Sequence, residues 1–376
     1  MVKVVLENVG KVFKGSKKAK ETVAVKGFTA EFPSNKVVGI LGPSGCGKTT
    51  TLRAIAGLDP PSEGKIYFED KDVTYLPPIE RDAALLFQFA VVYDNMTVFD
   101  NLAFPLMVKN INKEEINKRV KETAEFLGLS DILKKRAKGL PASINQKIAL
   151  GRAIIRKPKV LLLDEPLSSL DPESRLYLRR ELKKVIRSMD TTVVYVTHDQ
   201  SEAMTLCDKI AVMNEGKVHQ YDTPENIYLN PATTFVAWFI GEPGMNLIDC
   251  SMEASEGKYY IKIDGVSDVS FEVSKWSHAL KESDKIVLGI RPEFITITKT
   301  YKKNSIAGKC LVIESFGSFA LLDILTNCSP NNIIKVKTPL SDDLPKVDGD
   351  VYLTFPPAYI RLFDKKSGEL RVVMTE

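Results

Sequence analysis

Hydrophobic positions along this chain change their spacing several times, and each change marks a different kind of element. Over residues 1 to about 85, short strand-like runs alternate with turns. One of them, Val37-Val38-Gly39-Ile40-Leu41, is apolar throughout, as a strand buried on both faces should be. A helical stripe follows through Leu52, Ala54, Ile55 and Ala56 and ends near Gly57. From about 89 to 157 the spacing is helical. Asn112 stands three residues ahead of Glu115 as a helix cap, and Ile116, Val120, Ala124 and Leu127 then recur at helical intervals. This stretch reads as a helical insert within the first domain.

Strand spacing returns at Val160-Leu161-Leu162-Leu163 and at Val193-Val194-Tyr195-Val196. Between them Asp171-Pro172 opens a helix with Pro172 at its first position, where a missing N–H costs nothing. Leu178, Leu182, Val185, Ile186 and Met189 supply its buried stripe. Apolar, non-alternating strands joined by helices predict an α/β domain with a parallel sheet covered on both faces, over residues 1–235. Near Asn230-Pro231 the pattern turns to short alternating strands, such as Tyr259–Ile263 and Ile286–Ile290. Turns punctuate them at Asp264-Gly265, Asp348-Gly349 and Ser367-Gly368. That texture predicts a small all-β, OB-like barrel over 236–376.

Composition narrows the class. A length of 376 residues implies two or three domains, and 44% hydrophobic with 27% charged residues describes an ordinary globular chain. A formal charge of +4 is too small to argue for a nucleic-acid partner. The lysines clustered in Lys14-Gly15-Ser16-Lys17-Lys18-Ala19-Lys20 read as a solvated loop. Cys46, Cys207, Cys250, Cys310 and Cys328 are scattered and odd in number, which supports neither a disulfide framework nor a zinc site. The N-terminus resembles a first strand rather than a signal peptide, and no run of 18 apolar residues exists. The expected compartment is therefore the cytosol.

The chemistry starts at Gly42-Pro43-Ser44-Gly45-Cys46-Gly47-Lys48-Thr49, which reads G-x-x-x-x-G-K-T between a predicted strand and a predicted helix. Glycines let backbone N–H groups wrap a phosphate, and the following helix, from Lys48, Thr49 and Thr50 onward, adds the positive end of its dipole. Lys48 is placed to reach the outer phosphates of a nucleoside triphosphate, and the Thr49 hydroxyl to reach Mg²⁺. A second feature, Asp164-Glu165, puts two carboxylates at the end of an apolar strand. There Asp164 can hold Mg²⁺ through water, and Glu165 can take a proton from an attacking water.

Asp164-Glu165-Pro166-Leu167-Ser168-Ser169-Leu170-Asp171, Thr197-His198-Asp199 and Phe87-Gln88 together resemble the ATP-binding subunits of ABC transporters. The resemblance implies a P-loop ATPase that binds ATP and Mg²⁺, acts as a dimer, and docks on membrane-spanning permease subunits at the cytoplasmic side of the membrane. It further implies that Gln88 senses Mg²⁺ and the catalytic water, that His198 contacts the γ-phosphate and positions Glu165, that Phe13 stacks on adenine, and that Asp171 communicates across the dimer. A docking groove on the insert near Gln88 to Leu106 is also implied. Three later stretches extend the likeness to the sugar-importer branch: Asn230-Pro231 with Phe235–Gly241 and Met245-Asn246; Leu288–Glu293; and Phe355-Pro356-Pro357 with Leu362-Phe363-Asp364. The implied function is import of a sugar or related solute delivered by an external binding protein. A mainly regulatory subunit and a non-transport relative are the alternatives.

One motif departs from the family. Its Leu-Ser-Gly-Gly-Gln signature, which closes over the γ-phosphate held by the partner subunit, corresponds here to Leu140-Pro141-Ala142-Ser143-Ile144. Pro141 has neither a hydroxyl nor an N–H, and Ala142 and Ser143 place side chains where glycine would allow close approach. Each charge-assisted hydrogen bond missing from such a site removes roughly 2–4 kcal/mol of transition-state stabilisation. Two arrangements follow: a heterodimer with a subunit bearing an intact signature, or a homodimer with two slow sites.

Overall fold

The computed structural model describes residues 2–14, 21–255, 258–266, 269–273, 285–328, 330–341 and 343–374. Most of the lysine-rich stretch at 14–20 lies outside them. The chain divides into two compact units, Met1–Pro224 and Glu225–Glu376.

The first unit runs β1 (Val4–Phe13), β2 (Thr22–Phe32), β3 (Val37–Leu41), α1 (Lys48–Ala56), β4 (Glu63–Phe68), β5 (Lys71–Asp72), β6 (Ala83–Leu86), α2 (Val98–Val108), α3 (Lys113–Leu127), α4 (Ala142–Ile154), β7 (Val160–Asp164), α5 (Pro172–Ser188), β8 (Thr192–Thr197), α6 (Gln200–Leu206), β9 (Lys209–Asn214) and β10 (Lys217–Asp222). The predicted parallel sheet is present, in the order β10-β9-β3-β8-β7-β6, with antiparallel pairing only between β9 and β10. Its central strands β3, β7 and β8 are buried at every residue, which is why they carry no polar alternation. The early strand-like runs do not join it. They form a separate antiparallel sheet, β2-β1-β4-β5, whose alternating burial leaves one face for the core. Leu6, Phe28, Phe32 and Ile66 from that sheet share a buried cluster with Ile40, Leu52, Ile55 and Leu162.

Local signals decide the helix ends. The Asn112 side chain accepts from the Glu115 N–H at 2.8 Å, and α3 buries Ile116, Val120, Ala124 and Leu127. Asp171 caps α5 by accepting from the Ser174 N–H at 2.9 Å, with Pro172 in the first turn. The stripe of α5 is narrower than expected. Leu178, Leu182 and Ile186 are buried, whereas Val185 is half-buried and Met189 lies just past the helix in extended conformation.

The second unit contains α7 (Pro224–Leu229), α8 (Thr234–Phe239), β11 (Asn246–Ser255), β12 (Lys258–Ile263), β13 (Ser270–Glu272), β14 (Ile286–Ile290), β15 (Thr296–Thr298), β16 (Ile306–Ser315), β17 (Phe319–Leu325), β18 (Ile333–Pro339), β19 (Asp350–Thr354), β20 (Arg361–Asp364) and β21 (Leu370–Val373). Two antiparallel sheets, β13-β12-β11-β14-β20-β21 and β15-β19-β16-β17-β18, enclose one core, an OB-like all-β arrangement. The division falls ahead of the change of pattern at Asn230-Pro231, because the short helices are tied to these sheets. The buried Arg291 donates to the carbonyls of Tyr228 and Ile240, and the Leu370 N–H donates to Ala232 O. The expected turns carry left-handed residues, Gly265, Asp348 and Gly368. Among the described residues, no helix is long and apolar enough to cross a membrane.

Candidate functional site

The loop from Gly42 to Gly47 leaves β3 at the C-terminal edge of the parallel sheet and enters α1. Gly42 and Gly47 are required by space, and Gly45 and Gly47 by conformation. A Cβ on Gly42 would lie 2.1 Å from Met213 O, and one on Gly47 would lie 2.3 Å from Ala24 O. Gly45 also has a positive φ, +79°, but faces open space. Ser44, Gly45 and Thr49 are exposed, Pro43 and Thr50 half-exposed, and Cys46 is buried beneath the loop. Burial raises the Cys46 thiol above its usual pKa against the opposing pull of Lys48, so it is a packing residue rather than a nucleophile. Helix α1 starts at a Gly47 cap with no side-chain cap bond and no acidic residue in its first turn. Its N–H groups and dipole are thus left to an anion. Lys48 is buried, and its Nζ donates to Gly42 O at 2.8 Å and Pro43 O at 2.9 Å.

Neighbouring strands deliver the remaining groups to the same edge. Asp164 ends β7 and is buried, and its Oδ1 accepts from Thr49 Oγ1 at 3.1 Å. Burial raises its pKa, opposed by the Thr49 hydrogen bond. This hard-oxygen pair, hydroxyl beside carboxylate, suits Mg²⁺. Glu165 follows with a positive φ, +45°, uncommon for a non-glycine, and its N–H donates to Val196 O of β8 at 2.9 Å. Its carboxylate is shared. Oε2 accepts from Gln88 Nε2 at 3.0 Å, and Oε1 lies 3.1 Å from His198 Nδ1. Gln88 comes just after β6 and His198 just after β8, so three adjacent parallel strands place their C-terminal residues around one carboxylate.

The other expected residues sit in different places. Phe13 is the last residue of β1, is 44% exposed, and has the Lys11 ammonium 5.4 Å from its ring centroid. It pairs with Thr22, two residues before the Ala24 carbonyl that abuts Gly47, which puts it at the end of β1 nearest that part of β2. Leu140–Ile144 form the entry to α4. Pro141 is the cap itself rather than a first-turn residue, and it makes no side-chain cap bond. Its carbonyl accepts from the Ile144 and Asn145 N–H groups, both at 3.0 Å. Asp171 is occupied as the α5 cap, and its capping hydrogen bonds lower its pKa.

Sequence reasoning missed three residues. Gln146 is buried and donates from Nε2 to Pro166 O at 3.0 Å, tying α4 to the turn after Glu165. Glu202 is buried and accepts from Tyr195 Oη at 2.8 Å and Thr197 Oγ1 at 2.9 Å. Arg175 donates to Ser168 O and Leu170 O. In the sequence Glu202, three residues after Asp199, reads as the acidic first-turn residue of a capped helix, and its burial leaves no local signal. Nothing in the spacing distinguishes Arg175 from its neighbours Arg179 and Arg180.

A cleft of about 710 Å³ opens on the helical insert, lined by Phe87, Phe89, Val91, Tyr93, Phe104 and Arg152 among others. Phe89 is 82% exposed and Val91 62%, an apolar surface of the kind that marks an interaction site.

Comparison with known proteins adds four findings. The ABC transporter family model matches residues 25–168. The trehalose/maltose import ATP-binding protein of Thermococcus litoralis is 38% identical, over 98% of this chain and 99% of its own length. The sn-glycerol-3-phosphate import ATP-binding protein of Yersinia enterocolitica is 38% identical over 92% and 94%. Among solved structures, a dimeric ATP-binding cassette in a post-hydrolysis state with ADP and Pi aligns with a TM-score of 0.54 at 28% identity, covering 59% of this chain and 98% of that one.

Proposed function

The chain belongs to the ATP-binding subunits of ABC transporters, and on that premise we propose that it hydrolyses ATP to energise import of a sugar or a related solute such as a polyol phosphate. Full-length likeness to import subunits for trehalose/maltose and glycerol 3-phosphate supports this solute class. The observation that carries the reading is the convergence of Lys48, the Thr49–Asp164 pair and the Gln88–Glu165–His198 cluster on one sheet edge.

In this reading the phosphate loop and Lys48 hold the outer phosphates, and Phe13 stacks on the base. Thr49 and Asp164 would hold Mg²⁺, which would supply positive charge beside the phosphates when bound. Glu165 accepts the proton of the attacking water, with Gln88 and His198 fixing the carboxylate from either side. His198 also donates to the terminal phosphate. Two ATPase subunits come together on ATP and part after hydrolysis. The motion passes to membrane-spanning partners seated in the insert cleft, so the chain works at the cytoplasmic face of the membrane. The second unit is regulatory.

The partner ATPase, in this reading, is a different chain with an intact signature. Pro141 offers no donor at the cap of α4, while the nucleotide-holding residues are complete, so one of the two composite sites is competent and the other slow. Steady-state hydrolysis by the purified chain, alone and then with candidate paralogues, tests both layers. No hydrolysis in any pairing refutes the ATPase reading, and robust cooperative turnover by the isolated chain refutes the heterodimer alone.

A further inference from the structure

Glu165 and His198 lie in turns beyond the ends of β7 and β8, and the Glu165 N–H to Val196 O hydrogen bond at 2.9 Å ties the start of the first turn to β8 without reaching the His198 turn itself. Their relative placement needs another connection. Arg175, in the first turns of α5, reaches both. Its Nη2 donates to Ser168 O at 3.3 Å and to Leu170 O at 3.2 Å, carbonyls of the turn that follows Glu165. Its Nη1 lies 4.0 Å from Asp199 Oδ2, in the turn that carries His198.

Each end of this bridge is anchored. On one side the Ser168 hydroxyl donates to Glu165 O at 3.0 Å, so a displacement of Ser168 is felt at Glu165. On the other side Asp199 is locked in place. Its N–H donates to Thr197 Oγ1 at 3.0 Å, and its Oδ1 accepts from the Glu202 N–H at 3.0 Å. Thr197 and Tyr195 in turn donate to the buried Glu202 carboxylate. Glu165, Ser168, Arg175, His198, Asp199 and Glu202 line one small pocket.

We propose that Arg175 is a positioning residue for ATP hydrolysis: by clasping the Glu165 turn and the His198 turn at once, it sets the Glu165–His198 contact that holds the general base. This rests on the ATPase reading above, in which those two side chains flank the reacting water. A planar guanidinium suits the task because its fork spans two carbonyls and a carboxylate with fixed angles, which an ammonium cannot reproduce. Misplacement of a general base by a fraction of an ångström to about 1 Å lowers turnover without touching the groups that bind substrate.

The test compares wild type, Arg175→Met, Arg175→Lys and Asp199→Asn in the assembled transporter and as purified chains. Arg175→Met is expected to lower kcat about ten- to a hundredfold with KM for ATP and the melting midpoint unchanged, and Arg175→Lys to recover only part. Combined with His198→Ala, the losses are expected not to add, since both act through one contact. The chain has three histidines, so their ring signals can be followed by NMR without turnover. Those of His198 should move in Arg175→Met and Asp199→Asn while those of His219 stay. Unmoved His198 signals, or additive losses, overturn the proposal. Wild-type hydrolysis in the same assay tests the ATPase reading separately.

Discussion

Gly45 and Gly47 both have positive φ, yet the structure makes them unequal, and replacing each by alanine separates the site from the fold. Gly45→Ala adds a Cβ at φ +79° with nothing within 4 Å. The left-handed conformation costs about 1–2 kcal/mol, and the stiffer unfolded chain returns about 0.4–1 kcal/mol, for a net loss near 1 kcal/mol. In a unit of this size that is about 2–4 °C in melting midpoint. Gly47→Ala sits at φ +105° with its Cβ 2.3 Å from the Ala24 carbonyl oxygen, where 3.0 Å is the closest that real contacts approach. The oxygen belongs to the backbone of β2 and has no rotamer to escape into, so loop and strand must separate by about 0.7 Å. That raises the cost to about 3 kcal/mol or more, or about 6–12 °C. In the proposed reading the open space at Gly45 is where phosphate approaches, so both variants are expected to lose ATP affinity by tenfold or more. The assay is thermal unfolding with and without Mg-ATP, read beside binding of a fluorescent ATP analogue. Wild type should be stabilised by nucleotide, whereas Gly45→Ala should melt close to wild type and gain nothing from it. Equal melting of the two variants, or wild-type affinity in Gly45→Ala, refutes the reasoning.

Three further outcomes are expected. Glu165→Gln keeps the shape and the Gln88 contact but cannot take a proton, so single-turnover hydrolysis should fall at least a hundredfold while ATP affinity is retained; equal loss of binding would contradict the assignment. Burial raises the Asp164 pKa, so the folded state holds this proton more tightly than the unfolded one, and stability falls as pH rises from the ordinary aspartate range through the raised value. Asp164→Asn should therefore raise the Mg²⁺-free melting midpoint at neutral pH, with a difference that shrinks on acidification, and should abolish hydrolysis; a lowered midpoint at neutral pH counts against the burial argument. Restoring the signature by Pro141→Ser with Ala142→Gly and Ser143→Gly should raise hydrolysis by the isolated chain about a hundredfold for each donor regained, measured by phosphate release, and no gain would remove the reason for a heterodimer.

Much of what meets at the candidate site's sheet edge was legible from the chain. Gly42–Thr49, Asp164-Glu165 and His198 are found where strand ends were expected, because an unbroken apolar run identifies a central parallel strand and its polar terminus is then at the C-terminal edge. Helices α3 and α5 were legible for a similar reason, since Asn112 and Asp171 satisfy N–H groups only a few residues away. Other features were not. Alternating runs before residue 85 predict strands but not that β1, β2, β4 and β5 form their own antiparallel sheet, because partner choice depends on distant edges. The unit division ahead of Asn230 likewise follows from Arg291 reaching back to Tyr228, which no local pattern records.

By itself, then, the sequence determined the side-chain chemistry available: a G-x-x-x-x-G-K-T loop, a carboxylate pair, a histidine, and a Pro141 that carries neither hydroxyl nor N–H. These are local properties, set by residue type and by spacing within a single strand–turn–helix. Only the tertiary structure decided that Gln88 and His198 share the Glu165 carboxylate at 3.0 and 3.1 Å, and that Arg175 bridges the two turns behind them. Those distances come from the order in which β6, β7 and β8 lie side by side. That order is a property of packing and hydrogen bonding over the whole sheet, and a one-dimensional pattern carries it only in part.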